Sequence, residues 1–217
     1  MSSELPEWSR RAFSEPRLKP YLDACHGDRA RAWRLYRWNI EISQAFYGSL
    51  HCLEVGLRNA VHDRLLERYG RADWWEAAPL KKHDAGKVAK ARDDLRRKGV
   101  GHPTADDVVA ELSFGFWVSL LSSSYDRHLW VPSLHRAFPH YAGRRSALRD
   151  NFQTMVLLRN RIMHHEPIHH RHLPADHAKI YRLLGYLEPE VVTWLQGFDR
   201  VPEILGRRPG GEGGGHA

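Results

Sequence analysis

The feature that most constrains the fold is a long helical stretch without proline. From Trp33 to Gly70 the chain runs for more than thirty residues with no proline. Gly70 follows polar, Arg-rich residues and predicts the end of the helix. Gly48 either divides the stretch into two helices or permits close packing. Apolar residues at spacings of three and four predict one buried stripe, formed by Leu50, Leu53, Leu57, Val61 and Leu65.

The rest of the chain also has helical patterns. Thr104 and Asp107 form a capping box that predicts the start of an apolar, buried helix through the segment 114–121. A further helix is predicted to start at Ser146 or a neighbour, and closing helices are expected over 174–187 and 189–197. The apolar side of the helix that starts near Ser146 consists of Phe152, Met155, Val156 and Ile162.

Few segments alternate at the period of two that strands require, so the sequence predicts an all-α fold. Residues 1–205 are expected to form a single domain. The Gly-rich tail over 206–217 lacks core residues and is expected to be disordered.

The chain is basic. Its 33 Lys and Arg against 26 Asp and Glu give a net charge of +7 at pH 7. That balance favours an anionic partner such as nucleic acid, but it also fits a protein that is merely basic. Between Lys81 and Lys98, eight Lys/Arg face three Asp in a segment that looks polar almost all round. This helix is either a solvated face or a surface that contacts phosphates.

The expected location is cytoplasmic. Cys25 and Cys52 show no metal-binding or redox spacing and are interpreted as reduced thiols. No apolar run approaches the length of a membrane span, so no membrane association is expected. The N-terminal residues lack the apolar core of a secretory signal.

The stretch LLRNRIMHHEPIHHRH (157–172) contains a zinc-protease spelling, H-E-x-x-H, from His165 to His169. Two zinc-binding histidines at i and i+4 need an unbroken helix. Pro167 removes a backbone donor and clashes with the preceding turn, so the helix is predicted to end near His165. The sequence therefore predicts neither a metal site nor a cofactor.

The same stretch contains the pattern R-N-x-x-x-H, with Arg159, Asn160 and His164. Asn160 and His164 share a helix face, whereas Arg159 lies about 140° from His164 around an ideal helix. These residue types suit metal-free RNA cleavage, because arginine can hold a phosphate and histidine can exchange a proton near neutral pH. The alternative is an exposed basic helix end, favoured by the macrodipole.

Three ordered stretches resemble the Abi-like abortive-infection proteins, a branch of the HEPN superfamily. LRNRIMHHEPI is similar to their R-N-x-x-x-H-H-E motif. LEVGLRNAVHDRL (53–65) resembles their upstream E-x-x-x-R-N helix, and VVAELSFGFWVSLLSSSYDRHLW (108–130) resembles their central L-x-F-G-x-W segment. Together the matches span roughly residues 33–186.

The resemblance implies a HEPN-like helical bundle that forms a homodimer, with two R-x4-H motifs in one cleft. It implies a metal-independent endoribonuclease acting on RNA in phage defence or as a toxin, with an antitoxin or defence protein as a further partner. Arg159, Asn160 and His164 carry over as catalytic residues. The additional catalytic or supporting candidates are His165, Glu166, Glu54, Arg58 and Asn59.

Two alternatives remain open at this point. Glu54 and Arg58 form either a surface ion pair at i and i+4 or a pair that faces the R-x4-H helix. His62 is interpreted as a surface or packing residue. The chain as a whole is either an RNA-cleaving enzyme, or a HEPN-type module that binds RNA or nucleotide without cutting it, or a regulatory subunit of a defence system. The His-rich loop 164–177 has no assigned role.

Overall fold

A 41-residue helix, Arg29–Tyr69, forms the axis of the fold. The computed structural model describes residues 7–209, and within these residues the regular structure is helical without a β-strand. The predicted all-α class is confirmed. The α-helices are α1 (Glu7–Phe13), α2 (Glu15–Ala24), α3 (Arg29–Tyr69), α4 (Lys82–Arg97), α5 (Ala105–Glu111), α6 (Phe114–Ser119), α7 (Arg145–Met163), α8 (Leu173–Leu187), α9 (Pro189–Gln196) and α10 (Val201–Gly206).

Helix α3 is continuous, so Gly48 does not divide it. A Cβ built on Gly48 would lie 3.7 Å from the ring of Phe198, so the glycine instead lets that ring approach. Asp28 caps the start by accepting the N–H of Arg31 at 2.9 Å. Gly70 ends the helix as predicted, with φ +65° and its N–H on the carbonyl of Leu66.

The core surrounds the inner face of α3. The predicted stripe from Leu50 to Leu65 is buried along its whole length, which confirms the periodicity argument. Helices α2, α6, α7, α8 and α10 all contact α3. Because α3 packs against at least five other helices, its side chains determine where the remaining helices meet.

Helix α4 differs from its predicted all-round polarity. Val88, Ala91 and Leu95 are buried on one face, together with Asp84. Six of the eight Lys and Arg side chains over 81–98 form ion pairs with carboxylates. The helix is therefore amphipathic, and the pairing of its outer charges favours the solvated-face interpretation over a phosphate-binding one.

The apolar segment after Thr104 forms two short helices rather than the single helix that was predicted. The capping box of Thr104 and Asp107 is present and starts α5. The chain then leaves the helical conformation at Leu112, and Ser113 caps α6 by accepting the N–H of Phe116 at 3.4 Å. The aromatic residues of α6 are buried as expected.

The C-terminal part follows the predicted helices closely, since α7, α8 and α9 begin within a residue of their expected positions. Helix α10 was not predicted. The disorder predicted for residues 206–217 is wrong for residue 206, because Gly206 belongs to α10. Arg208 donates to the carbonyl of His169 at 2.8 Å and lies 5.4 Å from the ring centroid of Trp38. Residues 210–217 lie outside the described residues.

Both cysteines are free, and burial raises the pKa of the Cys25 and Cys52 thiols. Within residues 7–209, none of the helices has the length and hydropathy needed to cross a membrane.

Candidate active site

Arg159 of α7 and Glu54 of α3 form an ion pair between the two helices. The Nε of Arg159 donates to Oε2 of Glu54 at 3.1 Å, with the side chains 35% and 22% exposed. The other oxygen of Glu54, Oε1, accepts the N–H of Phe114 at 3.1 Å. Phe114 is the first residue of α6, whose N–H has no partner within its own helix. Glu54 thereby connects α3, α6 and α7.

This ion pair lies in a cleft of about 230 Å³ between α3 and α7. Arg58 also lines the cleft, so two guanidinium groups are present beside one carboxylate. Among the described residues Glu54 has no ion pair with Arg58, whose Nε donates instead to Oδ1 of Asn59 at 3.1 Å. The arrangement is electropositive overall, as an anionic ligand requires.

Asn59 lies outside this cleft. It is exposed and lines a different depression, between α3 and α8, together with Leu184 and Leu187. Of the three residues of the E-x-x-x-R-N helix, Glu54 and Arg58 therefore face Arg159, and Asn59 contacts the site only through its hydrogen bond to Arg58.

His51 lines the cleft and was missed in the sequence. It lies three residues before Glu54, and its ring stacks on Tyr47 with 6.3 Å between centroids. Residues three, four and seven apart on a helix share a face, so His51, Glu54 and Arg58 form a row along α3. That spacing was the signal by which the histidine could have been found.

Asn160 and His164 lie on another face of α7 and are exposed. Neither residue lines the Arg159 cleft, and neither side chain has a hydrogen-bond partner within residues 7–209. The separation agrees with the angle expected between positions five apart on a helix. One chain thus brings Arg159 together with Glu54, Arg58 and His51, but not with Asn160 and His164.

Helix α7 ends in a Schellman motif just before Pro167. The N–H of Glu166 donates to the carbonyl of Arg161 at 2.8 Å, and the N–H of His165 donates to the carbonyl of Ile162 at 3.0 Å. His165 adopts φ +58°, a conformation that usually belongs to glycine. The predicted end of the helix near His165 is confirmed, and His165 and His169 are not on one helix face.

Among residues 7–209, no group of three or more His, Cys, Asp or Glu side chains is placed to hold a metal ion.

His165 and Glu166 line a second and larger groove, of about 930 Å³, between the end of α7, α3 and the α1–α2 junction. Glu166 is exposed, and its Oε2 lies 4.0 Å from Nε of Arg161. The carbonyl of His165 accepts a hydrogen bond from Arg17 of α2 at 2.5 Å. Both supporting candidates at the helix end therefore face the larger groove rather than the Arg159 cleft.

The histidines after Pro167 have structural contacts. His169 is buried. Burial, followed by the nearby charges of His170 and Arg208, lowers the pKa of its imidazole to about 4. Nδ1 of His172 accepts the N–H of Ala175 at 3.1 Å and caps α8. His177 contacts Asp199, which also accepts the hydroxyl of Tyr181 at 2.6 Å.

His62, interpreted as a surface or packing residue, is half-buried. Its Nδ1 accepts a hydrogen bond from the indole of Trp74 at 3.1 Å, and burial lowers the pKa of the imidazole. The packing interpretation is confirmed.

Comparisons of the chain with protein-family models, with curated proteins and with solved structures found no match.

Proposed function

We propose that this protein is a metal-independent endoribonuclease of the HEPN type. The observation that carries the proposal is the Arg159–Glu54 pair in a cleft that also contains Arg58 and His51. A carboxylate that binds one nitrogen of a guanidinium fixes the orientation of the whole planar group. The family-like motifs contribute these residues. The cleft brings Glu54 and Arg58 of the upstream motif together with Arg159 of the R-x4-H motif.

Arg159 is suited to binding the scissile phosphate. Its Nε is engaged by Glu54, and the Nη donors have no partner within the described residues. Two parallel N–H groups match the spacing of phosphate oxygens and neutralise the charge that grows on them in the transition state. Arg58 adds a second positive charge to the same cleft.

The proposed reaction uses the 2′-hydroxyl of the RNA as nucleophile. Its oxygen forms a bond to phosphorus while the bond from phosphorus to the 5′-oxygen breaks. The imidazole of His164 takes the proton from the 2′-hydroxyl, and the imidazolium that forms returns it to the 5′-oxygen. The products are a 2′,3′-cyclic phosphate and a 5′-hydroxyl end, and no metal is consumed or required.

His164 reaches the phosphate in this proposal through a homodimer. Leu157, Asn160 and His164 follow a spacing of three and four, which places them in one row on α7. All three are exposed, including Leu157 at 52%. An apolar side chain beside two unpartnered polar ones is a suitable contact for a second α7, and the proposal requires that this contact place His164 of one chain within reach of Arg159 of the other.

A role in phage defence or as a toxin rests on the family resemblance alone. On that proposal the expected partners are RNA and an antitoxin or defence protein. The rival function is a module that binds RNA or nucleotide without cutting it, and it is favoured by the absence of His164 from the Arg159 cleft of a single chain.

The test is incubation of RNA with purified protein in EDTA. Wild type is expected to produce fragments with cyclic phosphate ends, and Arg159→Ala/His164→Ala to produce none. The matched control, Arg37→Ala/His128→Ala, removes the same residue types at exposed positions outside the cleft. Undiminished cleavage by the first variant contradicts the proposal, binding without fragments supports the rival, and cleavage only with added Zn²⁺ indicates metal chemistry.

A further inference from the structure

The larger groove adjoins the Arg159 cleft. The two depressions share Tyr47, Ile162 and Met163 as a common wall. On the proposed function, a strand of RNA whose phosphate lies on Arg159 can place its neighbouring nucleotide in the larger groove.

Aromatic rings line much of this groove. Tyr47 stands at the shared wall and is 57% exposed, so one face of its ring is open. Phe13, Tyr21 and Tyr36 line the groove further in. Their rings contact one another, with Tyr21 and Tyr36 centroids 5.1 Å apart and Phe13 and Tyr36 centroids 5.3 Å apart. An aromatic ring with an open face, such as that of Tyr47, can bind a nucleobase by stacking without requiring a particular sequence.

Asn39 contributes amide donors that have no protein partner and line the groove. The side chain is 4% exposed and lines the groove. Its Oδ1 accepts the N–H of Ile168 at 2.8 Å and of His169 at 3.1 Å. Because an amide nitrogen cannot accept these bonds, the orientation of the amide is fixed, and the Nδ2 donors have no protein partner among the described residues.

An amide donor that lines a groove and has no protein partner can bind an acceptor on a ligand. We propose that the groove holds the nucleobase next to the scissile phosphate, with the ring stacked on Tyr47 and an acceptor on its edge bound by Nδ2 of Asn39. This inference rests on the proposed RNA-cleaving function. It places base selectivity in the larger groove, whose residues Tyr47 and Asn39 lie outside the R-x4-H motif.

The groove is lined by one guanidinium, Arg17, and by one carboxylate, Glu166, which pairs with Arg161 at 4.0 Å. Arg17 donates one nitrogen to the carbonyl of His165, and its other nitrogens have no partner among residues 7–209. A guanidinium beside an apolar, aromatic wall matches a base attached to a phosphate. A protein surface would cover the rings but has no reason to present a planar acceptor edge to Asn39.

Two substitutions test the site separately. Asn39→Asp keeps one oxygen for the N–H groups of Ile168 and His169 and replaces the donor Nδ2 by an acceptor, so the fold is expected to be retained. Tyr47→Ala removes the open ring at an exposed position. Trp194→Ala is the matched control, since this aromatic residue is exposed on α9 and lies outside both depressions.

Cleavage of a random-sequence RNA pool, followed by sequencing of the fragment ends, measures the preference. Wild type is expected to prefer guanine or uracil on one side of the cut, because these bases present a carbonyl oxygen (O6 or O4) where adenine and cytosine present an amino group. Asn39→Asp is expected to shift the preference toward adenine or cytosine, which present amino donors. Tyr47→Ala is expected to lower kcat/KM about tenfold, and Trp194→Ala to change neither quantity.

Cleavage without base preference in wild type, or a preference unchanged in both Asn39→Asp and Tyr47→Ala, overturns the base site and leaves the nuclease proposal intact. If wild type does not cut, the nuclease proposal fails, and binding of a pentauridine and a pentacytidine decides the inference. Tighter binding of pentauridine that is lost in both variants supports the site, and equal binding by all proteins overturns it.

Discussion

Arg159 donates through Nε to Oε2 of Glu54, a residue 105 positions earlier in the chain. The same carboxylate accepts the first N–H of α6 through its other oxygen. One side chain on α3 therefore orients the candidate phosphate-binding arginine and holds the start of a neighbouring helix.

Glu54→Gln separates these two tasks. The amide oxygen of glutamine can still accept the N–H of Phe114, but the charge that attracts Arg159 is lost. We expect a decrease in unfolding free energy of about 1 kcal/mol, typical of a hydrogen bond to a charged group in a partly exposed pair. RNA cleavage should fall about tenfold, since this corresponds to roughly 1.4 kcal/mol of lost orientation.

The measurements for Glu54→Gln are urea unfolding and single-turnover cleavage. Glu41→Gln is the matched control. It removes the ion pair with Arg37 nearer the start of α3 and should leave cleavage unchanged. Full cleavage by Glu54→Gln would show that Arg159 does not depend on this carboxylate.

Asp84 tests the packing of α4. Burial alone would raise the pKa of this carboxyl, but hydrogen bonds from Lys87, Tyr125 and Ser119 outweigh burial and hold the pKa below its usual value. Asp84→Ala leaves these donors without their acceptor, and we expect a loss of about 3 kcal/mol in urea unfolding. Asp93→Ala, on the exposed face of the same helix, should cost at most about 0.5 kcal/mol. Equal losses for the two variants would contradict the assignment of a buried face to α4.

His169 should make the protein sensitive to mild acid. Its pKa is about 4 in the native state against an ordinary value of 6.5, mainly because of burial. The unfolded chain therefore binds more protons between these values, so stability is full above pH 6.5 and falls as the pH decreases toward 4. The loss from this group is about 3 kcal/mol at most.

The variant His169→Phe keeps a ring against Tyr21, whose centroid lies 5.0 Å from that of His169, and removes the titrating nitrogen. Unfolding free energy measured from pH 7 to pH 4 should decrease less steeply than in wild type. His128→Phe, at an exposed position, should retain the wild-type slope. An unchanged slope in His169→Phe would mean that other groups cause the acid sensitivity.

Leu157 tests the proposed dimer contact. We expect wild type to sediment as a dimer and Leu157→Glu as a monomer without RNA cleavage, because a charge would be buried against the second α7. Leu66→Glu places the same charge on a leucine of α3 that is 41% exposed and outside the proposed contact. A dimer that survives in Leu157→Glu would move the interface away from this face.

Much of the fold could be predicted because its signals are local. The stripe from Leu50 to Leu65, the stop at Gly70 and the capping box at Thr104 each depend on residues within a turn or two. The break between α5 and α6 could not be predicted, because the residues on both sides of Ser113 are apolar. Its stabilising contact comes from Glu54, which is distant in sequence.

The candidate site could also be predicted only in part. Arg159 was predicted from its motif. The sequence left both Arg58 and Arg159 as partners for Glu54, and only the packing of α7 against α3 selects Arg159. His51 followed from helical spacing and was overlooked. Asn39 had no recognisable signal, since its bonds to Ile168 and His169 connect segments about 130 residues apart.

The central claim is that Arg159 and His164, which face apart on one α7, act together across two chains. Mixing inactive Arg159→Ala with inactive His164→Ala, after subunit exchange, tests it directly. We expect RNA cleavage in EDTA to return to about a quarter of the wild-type rate, since half of the dimers are mixed and each has one intact pair. A mixture as inactive as its components, or a His164→Ala protein that cuts normally by itself, would contradict the account.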